Sequence, residues 1–368
     1  MWTLLRTFMI QVAGLCGLFL ALSLLAVGAE HAQAARQPGA ALRTVLFVNG
    51  TLGDKSFFDS AARGLKQAHD RLGVSARVVE GGADPTRWQA ALTDLADSGD
   101  YDLIIAGTYT MAPYVEELAR AYPDAHFVVF DAAIDANTCG CRNIHSVVFR
   151  QNEGAYLAGV LAASLVEHGL SDLPRHSSLG IVGGMQFPVV EDFMVGFRAG
   201  ALATVPTTDI ASQYANSFSD PAAGKEIAKA QFARGAGIVF HVAGASGQGV
   251  NEAAVESNRY AIGVDMDQVA LYRPTHPQLA ARIITSVLKN VDVAVLRAIG
   301  EAQRGTLVYG EVDSLGLADG GVSLAMDSEV LRTASPAVLA ALDTARTDVV
   351  SGRIRVPSAF DTARGGAR

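Results

Sequence analysis

The sequence predicts an α/β protein made of two doubly wound parallel-sheet lobes, on three observations. Short apolar runs rich in β-branched residues alternate with longer segments whose apolar residues recur every three or four positions. That alternation is completed once and then begins again, which implies two parallel sheets with helices on both faces. The chain has 368 residues, beyond the roughly 250–300 at which a single core stops growing.

The elements follow in order. Thr44 to Val48 is a strand, and Asn49 to Asp54 carries loop residues. Ser56 to Arg71 reads as a helix, because Phe57, Ala61, Leu65 and Ala68 share one face. Ala76–Val79, Leu103–Ala106, Phe127–Phe130 and Ser146–Phe149 are strands; Trp88–Ala96 and Pro113–Tyr122 are helices between them. The second set has helices at Asn152–Val166, Val189–Ala203, Pro221–Phe232 and Gly247–Val255, and strands at Leu179–Val182, Ile210–Tyr214, Ile238–Val242 and Tyr260–Val264. Crossovers between parallel strands are right-handed. Ligands in such sheets sit outside the carboxyl ends of the strands. That rule selects the loop after Val48, the segment after Ala106, Asp131, the glycines after Val182 and Val242, and Asp265.

Composition excludes several classes. Hydrophobic residues make up 50% and charged residues 18%, which excludes a disordered chain. Lys+Arg 29 against Asp+Glu 37 gives a net charge of -8, which argues against a nucleic-acid partner. The N-terminus reads as a secretory signal peptide: Arg6, an apolar stretch from Val12 to Val27, then Ala32-Gln33-Ala34, with the cut expected after Ala34. The stretch is about 16 residues, short for a membrane anchor. Leu15 before Cys16 is not small, so a lipid anchor is not expected. The mature chain should then be periplasmic, without a membrane span of its own. Cys139 and Cys141 remain, and an oxidising compartment allows a local surface disulfide between them.

The motifs of catalysis are missing. There is no Walker P-loop, no Gly-x-Ser-x-Gly elbow and no His-Glu-x-x-His among the 8 histidines. Gly244 to Gly249 lies between a strand and a helix but lacks the full dinucleotide spacing, and reads first as a tight turn. Neither an enzyme, a metal site nor a cofactor is expected.

The chain resembles the basic membrane protein family of substrate-binding proteins, also called the purine nucleoside receptor type, which serve ATP-binding-cassette importers. The resemblance rests on Gly53-Asp54-Lys55-Ser56-Phe57-Phe58-Asp59-Ser60-Ala61, Tyr122-Pro123-Asp124-Ala125-His126-Phe127 leading to Asp131, and Glu153-Gly154-Ala155-Tyr156-Leu157-Ala158-Gly159. It continues through Gly183-Gly184, Phe193 to Gly200, Gly244 to Gly249, Gly263-Val264-Asp265-Met266-Asp267-Gln268 and Thr285 to Asp292. It implies the type I periplasmic-binding-protein fold, with two lobes joined by a hinge of crossover strands. The implied first lobe is 42–150 plus about 270–315, the second 151–269 plus about 316–350, with a C-terminal tail at 351–368. The implied ligand is nucleoside-like and the implied partner an inner-membrane permease; a monomer is expected.

For these residues the resemblance implies that Phe57 or Phe58 and Phe193 stack on a flat base. Asp131 and Asp265 would accept from ribose hydroxyls, and Lys289, expected on a helix, would donate to sugar oxygens. Asp54 and Asp59 would read base nitrogens, and Gly244 would line the cleft, with Tyr109, Met185 and Phe187 beside it. By residue type alone, Phe57 and Phe193 suit a core, and Asp54 and Asp59 suit a helix cap. Phe58 stands where the family usually has Asn, which leaves the base preference open. A sensor of the same fold coupled to a signalling partner, and a secreted nucleoside-processing enzyme, are the alternative readings.

Overall fold

The computed structural model describes residues 41–361 apart from 169 and 171; the signal peptide and its cut lie outside the described residues. The first sheet contains β1 (Arg43–Val48), β2 (Ser75–Glu80), β3 (Leu103–Gly107), β4 (Phe127–Phe130) and β5 (Ile144–Phe149). Around it run α1 (Phe57–Leu72), α2 (Trp88–Asp97), α3 (Ala112–Ala121) and the short α4 (Ala136–Cys139). The second sheet contains β6 (Ser178–Gly183), β7 (Ile210–Tyr214), β8 (Ala236–Val242), β9 (Tyr260–Asp265) and β10 (Ile283–Lys289). Its helices are α5 (Gln151–His168), α6 (Pro188–Thr204), α7 (Pro221–Ala233), α8 (Ser246–Glu256), α9 (Gln268–Tyr272) and α10 (Pro277–Ala280). The chain then adds α11 (Val291–Arg304) and β11 (Val312–Leu315) to the first lobe, and β12 (Val322–Leu324), α12 (Glu329–Thr333) and α13 (Pro336–Val350) to the second.

The strand orders are β11-β5-β4-β3-β1-β2 and β12-β10-β9-β8-β6-β7. All pairings are parallel except β10 with β12. Central strands such as β3 and β4 are buried at every position, which is why their sequences are unbroken apolar runs rather than alternating ones. The edge strand β2 is largely exposed and carries Arg77 and Glu80.

The chain passes between lobes three times, at Arg150, at Asn290 and between Leu315 and Val322. These crossings are tied together. The Arg150 guanidinium donates to Glu153 at 2.7 Å, to the Ser314 carbonyl at 2.6 Å and to Asp319 at 2.8 Å. Asn290 donates from its backbone to the Gly321 carbonyl at 2.9 Å and from its side chain to the Gly320 carbonyl at 2.8 Å.

Three sequence expectations need correction and a fourth, the C-terminal tail, is refined. Residues up to 289 belong to the second lobe, because β10 is a buried strand paired in parallel with β9; the first lobe regains the chain only at α11, which packs on α1. Lys289 is therefore the last residue of a strand and not a helical residue. The tail after Val350 is anchored as far as residue 361: Asn152 donates to the Val356 and Pro357 carbonyls at 3.2 and 3.1 Å, and Ser358 to Asp192 at 2.6 Å. The Cys139–Cys141 disulfide is present, but its two residues are only 7% and 4% exposed, packed among the apolar residues of the first lobe rather than on the surface.

Candidate functional site

The site begins with the loop before α1. Asp59 accepts from the Gly53 and Lys55 amides at 2.8 and 2.9 Å. Asp54 accepts from the amides of Ser56, Phe58 and Asp59 at 3.0, 2.9 and 3.2 Å. These are the orphan amides of a helix start, and Asp54 satisfies them in place of the N-cap residue Ser56. Asp54 and Asp59, expected to read a base, thus have their carboxylates turned onto their own loop. The Ser56 hydroxyl is released from capping and donates instead to Asp265 Oδ2 of the opposite lobe.

Asp131 directly follows β4 and Asp265 ends β9, third from the same side in each sheet. Both have φ of +63°, the left-handed region that costs non-glycine residues energy. The turn aims each carboxylate off its strand end into the space between the lobes. Burial pushes both carboxyls above the usual range, Asp265 to about 6. Lys289 opposes that rise at both, while Asp54 and Asp131 add to it at Asp265 by repulsion.

Lys289 is 2% exposed and pairs with Asp131 across the lobes. Its ammonium also lies over the rings of Phe57, Phe149 and Phe193, at 5.2, 5.3 and 5.8 Å from their centroids. A buried ammonium is tolerable only with such partners: one carboxylate and the negative faces of three rings. Asp131, Asp265 and Lys289, far apart in sequence, therefore converge at one place.

The aromatic residues divide. Phe57 and Phe58 are partly exposed and meet edge-on at 5.4 Å, with Phe58 closing over Gly50. Phe193, expected to stack on the ligand, is 2% exposed and packs between Lys289 and Phe240. A half-buried aromatic of the second lobe that meets the first is Phe187, whose ring lies 4.8 Å from that of Tyr109 in the first lobe and 6.1 Å from that of Phe218. Gly244 has φ of +54°, and a Cβ there would stand 3.1 Å from the Phe218 carbonyl; it serves the turn that seats this segment. Lys55 reaches across the lobes to lie 5.4 Å from the Tyr272 ring centroid.

Asn49, just beyond β1, belongs to this edge as well. Its amide nitrogen donates to the hydroxyls of Thr108 and Thr110, both at 3.0 Å. Those hydroxyls are bonded to each other at 2.7 Å, so both cannot donate to Asn49 at once, which fixes the amide orientation. Its Oδ1 is buried without a partner among the described residues. Asn49 and Phe149 carry no motif signal, and Ser56 lies within the first resembling string without an expected role of its own; only the strand-end rule pointed to the loop that holds Asn49.

Two open α/β lobes, linked by three crossings and presenting polar groups to one another from their strand ends, define a solute-binding protein of the periplasmic-binding-protein type. Residues 41–358 match the family described as "ABC transporter substrate-binding protein PnrA-like", and the chain belongs to that family. It is 31% identical over 273 residues to the "ABC transporter nucleoside-binding protein BmpA" of Lactococcus lactis subsp. cremoris, covering 72% of this chain and 73% of that one. It is 32% identical over 333 residues to the "CD4+ T-cell-stimulating antigen" of Listeria monocytogenes, covering 85% and 88%. Among solved structures, an ABC transporter system solute-binding protein from Aeropyrum pernix K1 is similar with a TM-score of 0.75 and 26% identity, covering 86% of this chain and 94% of that one. The family description, the Lactococcus relative and the Aeropyrum structure all name binding proteins of ABC transporters.

Proposed function

We propose that the protein is the periplasmic receptor of an ABC importer and closes its lobes around a nucleoside-like ligand. The observation that carries this reading is the convergence of Asp131, Asp265 and Lys289 between the lobes. A vicinal diol offers two donors to a carboxylate, and its oxygens accept from an ammonium. One cation facing several carboxylates suits a donor-rich, uncharged ligand and disfavours a phosphorylated one. The base would lie against Phe57 and Phe58 on one lobe and Phe187 on the other, offset stacking adding about 0.5–1.5 kcal/mol. The relative named as nucleoside-binding supports the same class. Ligand that touches both lobes favours the closed hinge over the open one, and the closed form is what a permease would engage.

A thermal-shift screen of the mature chain with nucleosides, free bases and sugars tests the proposal. A nucleoside at a hundredfold excess over its Kd should stabilise the protein by about 2.7 kcal/mol. Stabilisation by free sugars alone would overturn the nucleoside assignment, and release of free base on incubation would replace a receptor with an enzyme.

A further inference from the structure

Tyr109 lies just beyond β3 on the first lobe's cleft edge, and its hydroxyl is buried with no hydrogen-bond partner among the described residues. Phe187 of the opposite lobe lies against its ring, so closing the lobes buries this group. Buried hydroxyls are almost always bonded, and an exception calls for a partner from outside the chain. Asp131 leaves the end of the neighbouring strand, where Gly107 pairs with Phe130 and the Thr108 amide donates to the Phe130 carbonyl at 3.0 Å, and its charge acts on the phenol. Burial and that charge raise the phenol to about 12, so it remains a donor at any working pH. A group between phenol and carboxylate must accept from the first and donate to the second. A hydroxyl does both through one oxygen; a ring nitrogen or a carbonyl does not.

We propose that Tyr109 is a specificity-determining residue that donates to one sugar hydroxyl, which in turn donates to Asp131. This rests on the nucleoside reading above and adds selection among sugar hydroxyls to it. Such a bridge penalises the matching deoxy analogue, because phenol and carboxylate would both be left unpaired.

The test is calorimetric titration of the wild type and Tyr109→Phe with adenosine, inosine, uridine and their 2′-, 3′- and 5′-deoxy forms. In the wild type one deoxy position should weaken binding by about three- to tenfold beyond the other two. In Tyr109→Phe that gap should shrink to below about twofold while the other two gaps stay as they were. Unchanged gaps in a variant that still binds the parent nucleosides would overturn the role of Tyr109 and leave the nucleoside reading intact. A change confined to the adenosine-to-inosine ratio would place Tyr109 against the base and overturn the sugar bridge. Failure of the wild type to bind any of these compounds would overturn both.

Discussion

The two lobes follow one plan, and their differences lie at the cleft. Each has six strands in matching order, and each has a helix from a crossing packed on the helix that follows its first strand: α11 on α1, and α5 on α6. The match reaches single residues. The Ser60 hydroxyl accepts from the Asp292 amide at 3.3 Å at the start of α11, and the Asp192 carboxylate accepts from the Asn152 amide at the start of α5. Four residues further on, Gly64 and Gly196 let the paired helix approach: a Cβ would stand 2.6 Å from Asp292 and 2.3 Å from Asn152 backbone atoms. The strand-end acids Asp131 and Asp265 also correspond, yet among the described residues one has a buried ammonium as hydrogen-bond partner and the other a serine hydroxyl. The carboxylate of the first lobe is neutralised from within. That of the second is left short of donors, which is the condition for a ligand to matter there.

Breaking the ion pair should have the largest effect on folding. Lys289→Met keeps bulk but leaves Asp131 buried and unpaired, and should destabilise by about 3–5 kcal/mol in urea unfolding. Adding Asp131→Asn should recover most of that. A loss below about 1 kcal/mol would mean that the pair does not neutralise Asp131 as described.

Asp265 gives the next effect, through pH. Its folded pKa of about 6 lies above its unfolded value, so the folded state binds this proton more readily. Its contribution is fully present below about pH 4 and is lost as pH rises through 6, on the order of 3 kcal/mol. Asp265→Asn should remove that slope and be the more stable protein at pH 7. The readout is the difference between variant and wild type across pH 4–7, since Asp54, Asp131 and Asp192 are also raised by burial. Parallel curves would show that Asp265 has ordinary acidity.

The smallest effect tests the equivalence of the helix pairs. Gly64→Ala and Gly196→Ala should each cost about 1–2 kcal/mol, an overpacking loss of up to ~3 offset by the ~1 that Ala gains in a helix. Destabilisation in only one lobe would break the correspondence.

Most of the fold to Asp265 was legible because its periodicities are clean: Phe127–Phe130 and Ile210–Tyr214 are strands with the expected bounds. β10 was not, because Thr285, Ser286 and the terminal Lys289 interrupt its apolar pattern, although all three are buried. Within the site, the strand-end rule found Asp131 and Asp265, since backbone topology alone places them. Ser56 was hidden because its partner is 209 residues away and a serine at a helix start has the same sequence signature whether or not its hydroxyl caps; here Asp54 caps and the hydroxyl is free to cross the lobes. Phe193 was ambiguous for a related reason: a helical apolar residue beside the cleft has the same sequence signature whether its ring serves the site or the core, and here it lies between Lys289 and Phe240.

The most direct test is calorimetric titration of wild type and Asp265→Ala with the nucleoside that the thermal screen selects. The account predicts that the variant, folded and intact, binds about 2–5 kcal/mol more weakly, as expected when a buried charged hydrogen-bonding partner is removed. Equal affinity in the two proteins would contradict it.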